Sequence, residues 1–186
     1  MKVLVACEYS GRVRDAFIAN GHDALSCDLL PTKIPGPHYQ GDIFDLLNQD
    51  WDLLVAFPPC TTICLSGNRW YAGTEKRQEG IKFVESLWSS GIPRIAIENP
   101  KGVLPTQSKL GRYTQIIEPW QFGDKFSKPT CLWLKSLPPL QPTNVVAKGE
   151  FVIHGGKRIP KWYSNREQAR DLTFQGIANA MAEQWG

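Results

Sequence analysis

Cys60 and Glu98 are the residues of this 186-residue chain whose surroundings best suit covalent chemistry. Cys60 ends the run Asp52-Leu-Leu-Val-Ala-Phe-Pro-Pro-Cys60, and Glu98 follows the apolar Ile95-Ala-Ile97 and opens Glu98-Asn99-Pro100. Each is an apolar strand candidate that runs straight into a reactive polar group. A thiol and a carboxyl delivered at the ends of two buried strands can act together. The thiol adds to an electron-poor ring carbon while the carboxyl protonates, or hydrogen-bonds, a ring nitrogen. Pro58 and Pro59 restrict the backbone ahead of the thiol. Asn99 is placed to hold that loop or to orient Glu98. Each feature alone has an ordinary structural explanation, so the weight lies in their joint occurrence.

The elements that must position these groups alternate along the chain. Val3–Ala6 reads as a first buried strand, and Arg12–Asn20 as a helix with Val13, Phe17 and Ile18 on one face, stopped by Gly21. Ala24–Cys27 reads as a second strand ending at Asp28, and 31–37 as a proline- and glycine-rich loop leading to Gly41-Asp42. Trp51–Phe57 and Pro93–Ile97 are further strands, separated by an amphipathic helix over Thr74–Ser90. Ile116-Ile117 and Leu132–Leu134 are weaker strand candidates, and Thr173–Trp185 closes the chain as a helix. Alternating strands and helices predict a mostly parallel sheet covered on both faces. In such sheets ligands bind beyond the carboxyl ends of the strands, where Asp28, Asp42, Cys60 and Glu98 all fall.

Composition sets limits on class. An apolar fraction of 42% with seven tryptophans describes a folded globule, here expected as a single domain over 1–186. No stretch approaches the ~20 apolar residues of a membrane span, and no signal-peptide pattern opens the sequence, so a cytoplasmic protein is expected. Five cysteines give no even disulfide framework. Cys7, Cys27 and Cys131 read as small buried hydrophobes. Cys64 forms Cys-x3-Cys with Cys60, but without a His-Cys cluster no metal site is expected. His22, His38 and His154 are scattered and read as surface or structural. A net charge of +3 is a mild bias compatible with nucleic acid.

Taken together, the motifs resemble the DNA cytosine-5 methyltransferases, and in particular the compact cytosine methyltransferase-like proteins of phages and prophages. Phe57-Pro58-Pro59-Cys60 matches the family's nucleophile motif, and Glu98-Asn99 its Glu-Asn motif, in the right order. Asp28 sits where the family holds the cofactor ribose, and Gly41-Asp42-Ile43 matches its adenine contact. Gly176-Ile-Ala-Asn179-Ala resembles the closing asparagine motif that returns to the cofactor. The resemblance implies a Rossmann-like class I methyltransferase fold, S-adenosylmethionine as donor and DNA, duplex or single-stranded, as partner. If the protein is phage-encoded, it would work in the host cytoplasm. It further implies a Cys60 thiolate that attacks C6 of cytosine and a Glu98 that holds N3. A duplex target would have to be flipped into the pocket.

The chain departs from the family pattern in three places. The glycine-rich first loop reads Cys7-Glu8-Tyr9-Ser10-Gly11, which leaves Gly11 alone to make the turn into the helix. Glu8 then lies near the methionine-like end of the donor. It could hold the donor's ammonium, or it could mark an altered donor such as a carboxylated or folate-type carrier. The family's base-contacting arginine segment is not evident; residues 121–130 occupy the corresponding part of the chain, so Lys128 is the expected substitute. Finally, a full target-recognition domain is replaced by a short basic, proline- and glycine-rich insertion over 136–170. Between Val146 and Arg170, Lys148, Lys157, Arg158, Lys161, Arg166 and Arg170 face only Glu150 and Glu167, with Trp162 and Tyr163 among them. Basic groups suit phosphates and aromatics suit stacking, although the same stretch also fits a solvated loop. Arg69-Trp70-Tyr71 is a second such cluster, and Pro59, Arg69, Trp70 and Lys128 are the expected base contacts. A homodimer would extend this small surface. Two other activities fit the same residues: C5 modification with another one-carbon donor or on a free cytosine nucleotide, and nucleic-acid binding without catalysis.

Overall fold

The computed structural model describes residues 1–160 and 173–186. Seven strands form one sheet: β1 (Lys2–Ala6), β2 (Asp23–Asp28), β3 (His38–Gln40), β4 (Leu53–Ala56), β5 (Arg94–Asn99), β6 (Gln115–Ile117) and β7 (Thr130–Lys135). Their order is β3-β2-β1-β4-β5-β7-β6. β1 pairs in parallel with β2 and β4, as do β2 with β3 and β4 with β5; β7 runs antiparallel to both β5 and β6. The helices are α1 (Arg12–Ala19), α2 (Asn68–Tyr71), α3 (Glu75–Trp88), α4 (Leu104–Gln107) and α5 (Gln175–Trp185). A separate hairpin, β8 (Phe151–His154) with β9 (Lys157–Pro160), lies outside the main sheet. The expected Rossmann-like α/β architecture is the observed one.

The sheet is buried on both faces, which is why its central strands are continuous apolar runs rather than alternating ones. Successive side chains still point to opposite sides. Val3, Val5, Leu53 and Val55 pack against Val13 and Phe17 of α1 and Ile177, Met181 and Trp185 of α5. Leu4, Ala6, Leu54, Ala56, Ile95 and Ile97 pack against Ile81, Val84 and Leu87 of α3. Each large side chain buried in this way contributes about 1.5–3 kcal/mol.

Several details differ from the sequence expectation. Ile18 is 39% exposed and Arg14 takes the buried place on α1. Its guanidinium bonds Asp15, Ser26, Thr32 and the Ile34 carbonyl, pinning the 31–37 loop to the helix. β5 runs on through Glu98 and Asn99, so both residues belong to the strand rather than to a turn after it. β3 and the β8–β9 hairpin fall in stretches whose proline and glycine content reads as loop. His38 is structural: its ring bonds Ser26 Oγ at 2.9 Å and the Leu30 carbonyl at 3.0 Å. Of the basic cluster, Lys161, Trp162, Tyr163, Arg166, Glu167 and Arg170 lie outside the described residues. No helix among the described residues is long and apolar enough to cross a membrane.

Candidate active site

The chain leaves β1 for β2 and β3 on one side, then passes to β4 and β5 on the other, so strand order reverses between β1 and β4. Such a reversal opens a crevice at the carboxyl ends of the strands. A cavity of about 320 Å³ lies there, at the lower end of ligand-sized volumes. A wider, shallower depression at the opposite strand ends is lined by Met1, Lys2, Asp23, Trp51 and Asp52 and gathers no comparable thiol and carboxyl pair.

One half of the cavity is built by the exits of β1 and β2. Cys7 adopts a left-handed backbone (φ 57°), a strained state for a residue with a side chain, and turns the chain sharply off β1. Gly11 (φ 81°) opens α1; a Cβ there would stand 2.7 Å from the Arg14 guanidinium and 3.0 Å from Ile34. Between them Glu8, Tyr9 and Ser10 line the cavity with Asp28, Leu30 and Phe57. Glu8 is only 4% exposed. Its Oε1 accepts the Ser10 hydroxyl, and its buried Oε2 has no partner among the described residues. Burial pushes the Glu8 carboxyl above its ordinary value, opposed by Ser10, Arg14 and the backbone N–H groups of Gly11 and Arg12. Asp28 is the last residue of β2, and its Oδ1 accepts the Leu30 N–H at 3.0 Å.

The other half is built by the exits of β4 and β5. Pro58, Pro59, Cys60, Thr61, Glu98 and Lys128 line it, with Thr130 beside them. Asn99 is 1% exposed, and its side-chain amide donates to the Pro58 carbonyl at 2.9 Å, holding the proline turn from below. Beyond Cys60 the chain makes one tight turn, with the Ile63 and Cys64 N–H groups donating to the Cys60 carbonyl at 3.1 and 2.8 Å. Arg77 of α3 is buried and bonds neutral acceptors. Its Nε donates to the Thr62 carbonyl (2.9 Å) and its Nη1 to Asn68 Oδ1 (2.7 Å). Main-chain bonds from Leu65 to the Lys101 carbonyl (3.1 Å) and from Val103 to the Ile63 carbonyl (2.9 Å) fasten the same loop to the segment following β5.

The Cys60 thiol is pushed up to about 11, chiefly by burial, then by Cys64 and Glu98, while Lys128 pulls it down. Burial also raises the Glu98 carboxyl, against Lys128 and the Thr130 hydroxyl, which donates to Glu98 Oε1. Lys128 Nζ stands 5.8 Å from the Phe174 ring centroid, so one cation acts on both the thiol and the carboxyl. Thr130 was not among the expected site residues; its place depends on β7 pairing beside β5, which no local pattern announces.

Besides Asn99, which supports the proline turn from below, five expected residues do not line the cavity. Gly11 shapes it from behind. Asp42 is exposed and caps the short turn after β3, accepting the Phe44 N–H at 3.0 Å. Asn179 is exposed on the outer face of α5, where its Oδ1 accepts the Gln175 side chain at 2.9 Å. It is Phe174 and Ile177, together with Thr173 ahead of the helix, that reach the cavity. Arg69 and Trp70 sit on α2, outside the lining. The Arg69 guanidinium lies 5.2 Å from the Trp70 ring, which is 71% exposed. Among the described residues no three His, Cys, Asp or Glu side chains are grouped to hold a metal.

No protein-family model matches the chain, and no curated protein does. Solved structures do. One is described as a DNA modification methyltransferase encoded within a prophage of E. coli, at 14% identity and a TM-score of 0.53, over 79% of this chain and 52% of that one. Another is a Dnmt2 methyltransferase of S. pombe, at 19% identity and a TM-score of 0.46, over 81% of this chain and 51% of that one. The chain therefore spans about half the length of these structures. At such identities the likeness speaks for architecture: this chain has the Rossmann-like class I methyltransferase fold.

Proposed function

We propose that the chain is a DNA cytosine-5 methyltransferase with S-adenosylmethionine as donor. The observation that carries this reading is that a thiol–carboxyl pair, Cys60 and Glu98, shares one cavity at the strand-order reversal with Glu8 and Asp28. The donor fits the second pair of groups. The partnerless Oε2 of Glu8 suits its ammonium, and Asp28 at the end of β2 suits its ribose hydroxyls. When bound, S-adenosylmethionine supplies an electrophilic methyl group on a sulfonium.

The chain's own residues do the rest. Cys60, as thiolate, adds to C6 of cytosine, and Glu98 gives a proton or hydrogen bond to N3, so that electron density builds at C5. Burial moves Glu98 toward the protonated form that can donate. Lys128 is the cation that favours the thiolate. Asn99 is a positioning residue that fixes Pro58, and through it the turn that presents Cys60. Once C5 has taken the methyl group, loss of its proton restores the double bond and releases the Cys60 sulfur.

Mass spectrometry of nucleosides from cells expressing the wild type and Cys60→Ala tests the reading. 5-Methylcytosine in the wild type alone is expected. Another mass on cytosine, lost in Cys60→Ala, would replace the donor and keep the mechanism. Unmodified DNA from both would overturn the reading in favour of a free nucleotide substrate or a binding role. An oligonucleotide with fluorine at the target C5 should also hold the wild-type protein as a covalent adduct, because fluorine cannot leave as the proton does.

A further inference from the structure

We propose that Glu8 is a receptor for a primary ammonium, and that it restricts this cavity to donors whose amino-acid arm carries a free α-amine. The inference rests on the donor reading above and adds a specificity determinant to it. Four observations converge. Glu8 is 4% exposed and lines the cavity, yet its buried Oε2 meets no donor among the described residues. A buried carboxylate oxygen left unpaired is costly and calls for a partner. The nearby cation does not supply it, because the Arg14 guanidinium is committed to Asp15, Ser26, Thr32 and the Ile34 carbonyl. A cationic ligand group in the cavity would complete the bond, as a short charge-assisted contact.

The same carboxyl changes what the start of α1 can bind. A loop-to-helix turn at this place in an α/β sheet ordinarily offers free N–H groups to an anion. Here the Arg12 N–H donates to Ser10 Oγ at 3.2 Å, and Ser10 donates in turn to Glu8. The anion site is filled from within, and a negative group faces the cavity instead. A diphosphate of the dinucleotide kind would meet a carboxylate where it needs donors, while an ammonium meets its complement. Tyr9 and Ser10 wall this corner, and Cys7, held in its left-handed turn, keeps Glu8 at the mouth of β1.

Calorimetry with two probes tests the proposal without catalysis. S-Adenosylhomocysteine keeps the nucleoside and the amino-acid arm, whereas 5′-methylthioadenosine keeps the nucleoside and thioether alone. In Glu8→Gln, affinity for S-adenosylhomocysteine should fall about ten- to hundredfold, as expected when a charge-assisted bond is removed. Affinity for 5′-methylthioadenosine should stay within about twofold, which also reports an intact pocket. Equal losses for both probes, or no loss for either, would overturn the role of Glu8 while leaving the donor reading standing. A wild-type protein that binds neither probe would overturn both.

Discussion

Burial makes Glu98 a carboxyl whose ionisation costs the fold stability, a cost that its proposed role at N3 of cytosine would account for. Burial raises it above its ordinary value, so the folded chain holds its proton more tightly than the unfolded one. The resulting stability is fully present below the unfolded value and is lost as pH rises through the folded value. Glu98→Gln keeps an acceptor for the Thr130 hydroxyl and removes the ionisation. We expect it to melt about 2–5 °C above the wild type at pH 8, with the gap closing toward pH 5, in a thermal-melt series. Its methyl transfer should drop by about 10²–10⁴-fold. Cys60 gives a second pH signature. With its thiol near 11, the thiolate is a small fraction at neutral pH. Alkylation of the Cys60 peptide, followed by mass spectrometry, should quicken about tenfold per pH unit between pH 7 and 10. Lys128→Met should slow it at every pH in that range, since that cation is the side chain that favours the thiolate.

At the scale of elements, the Cys60 loop and the segment after β5 behave as one clasp. Gly102 is where they touch: a Cβ there would stand 2.1 Å from the Ile63 carbonyl oxygen and 2.9 Å from the Cys64 Cα. Backbone on both sides leaves no flexible side chain to yield. Gly102→Ala should therefore cost about 1–3 kcal/mol of stability and move Cys60 relative to Glu98. We expect the methylation kcat to fall about 10- to 100-fold with donor affinity unchanged, read by single-turnover kinetics beside calorimetry. This clasp also marks how far the sequence could be read. β1, β4 and β5 were legible because both-face burial makes them unbroken apolar runs, and α3 because its apolar face repeats at helical spacing. The Pro-Pro-Cys and Glu-Asn motifs, at the ends of such strands, were legible for the same reason. The antiparallel course of β7 was not, since a hydrophobic pattern carries no direction, and Thr130 went unseen with it. The burial of Arg14 and Arg77 left no mark in the sequence, because most of their partners are brought near only by the tertiary fold. Asn179 is the opposite case, a motif residue that the structure places on the exposed face of α5.

For the whole molecule, the question is what would engage the proposed DNA substrate in a chain that spans about half the length of the prophage-encoded structure it resembles. Among the described residues, the two packed cores draw on the sheet, its helices and the loops between them, and include none from β8 or β9. The hairpin thus stands outside both cores as far as the described residues go. Phe151 pairs with Pro160, so its two ends lie a strand's width of ~5 Å apart and can be rejoined by a short bridge. Replacing residues 152–159 with two glycines removes Lys157 and Arg158, together with Ile153, which is 72% exposed. If the hairpin serves the proposed DNA surface, the shortened protein should melt within ~3 °C of the wild type and bind S-adenosylhomocysteine equally well. Its affinity for DNA should fall, and the slope of log affinity against log salt should shrink by about two, one for each phosphate no longer neutralised. An unchanged slope in a salt titration would assign any DNA binding to the rest of the surface, with Arg69 and the exposed Trp70 beside the Cys60 loop as the next residues to replace.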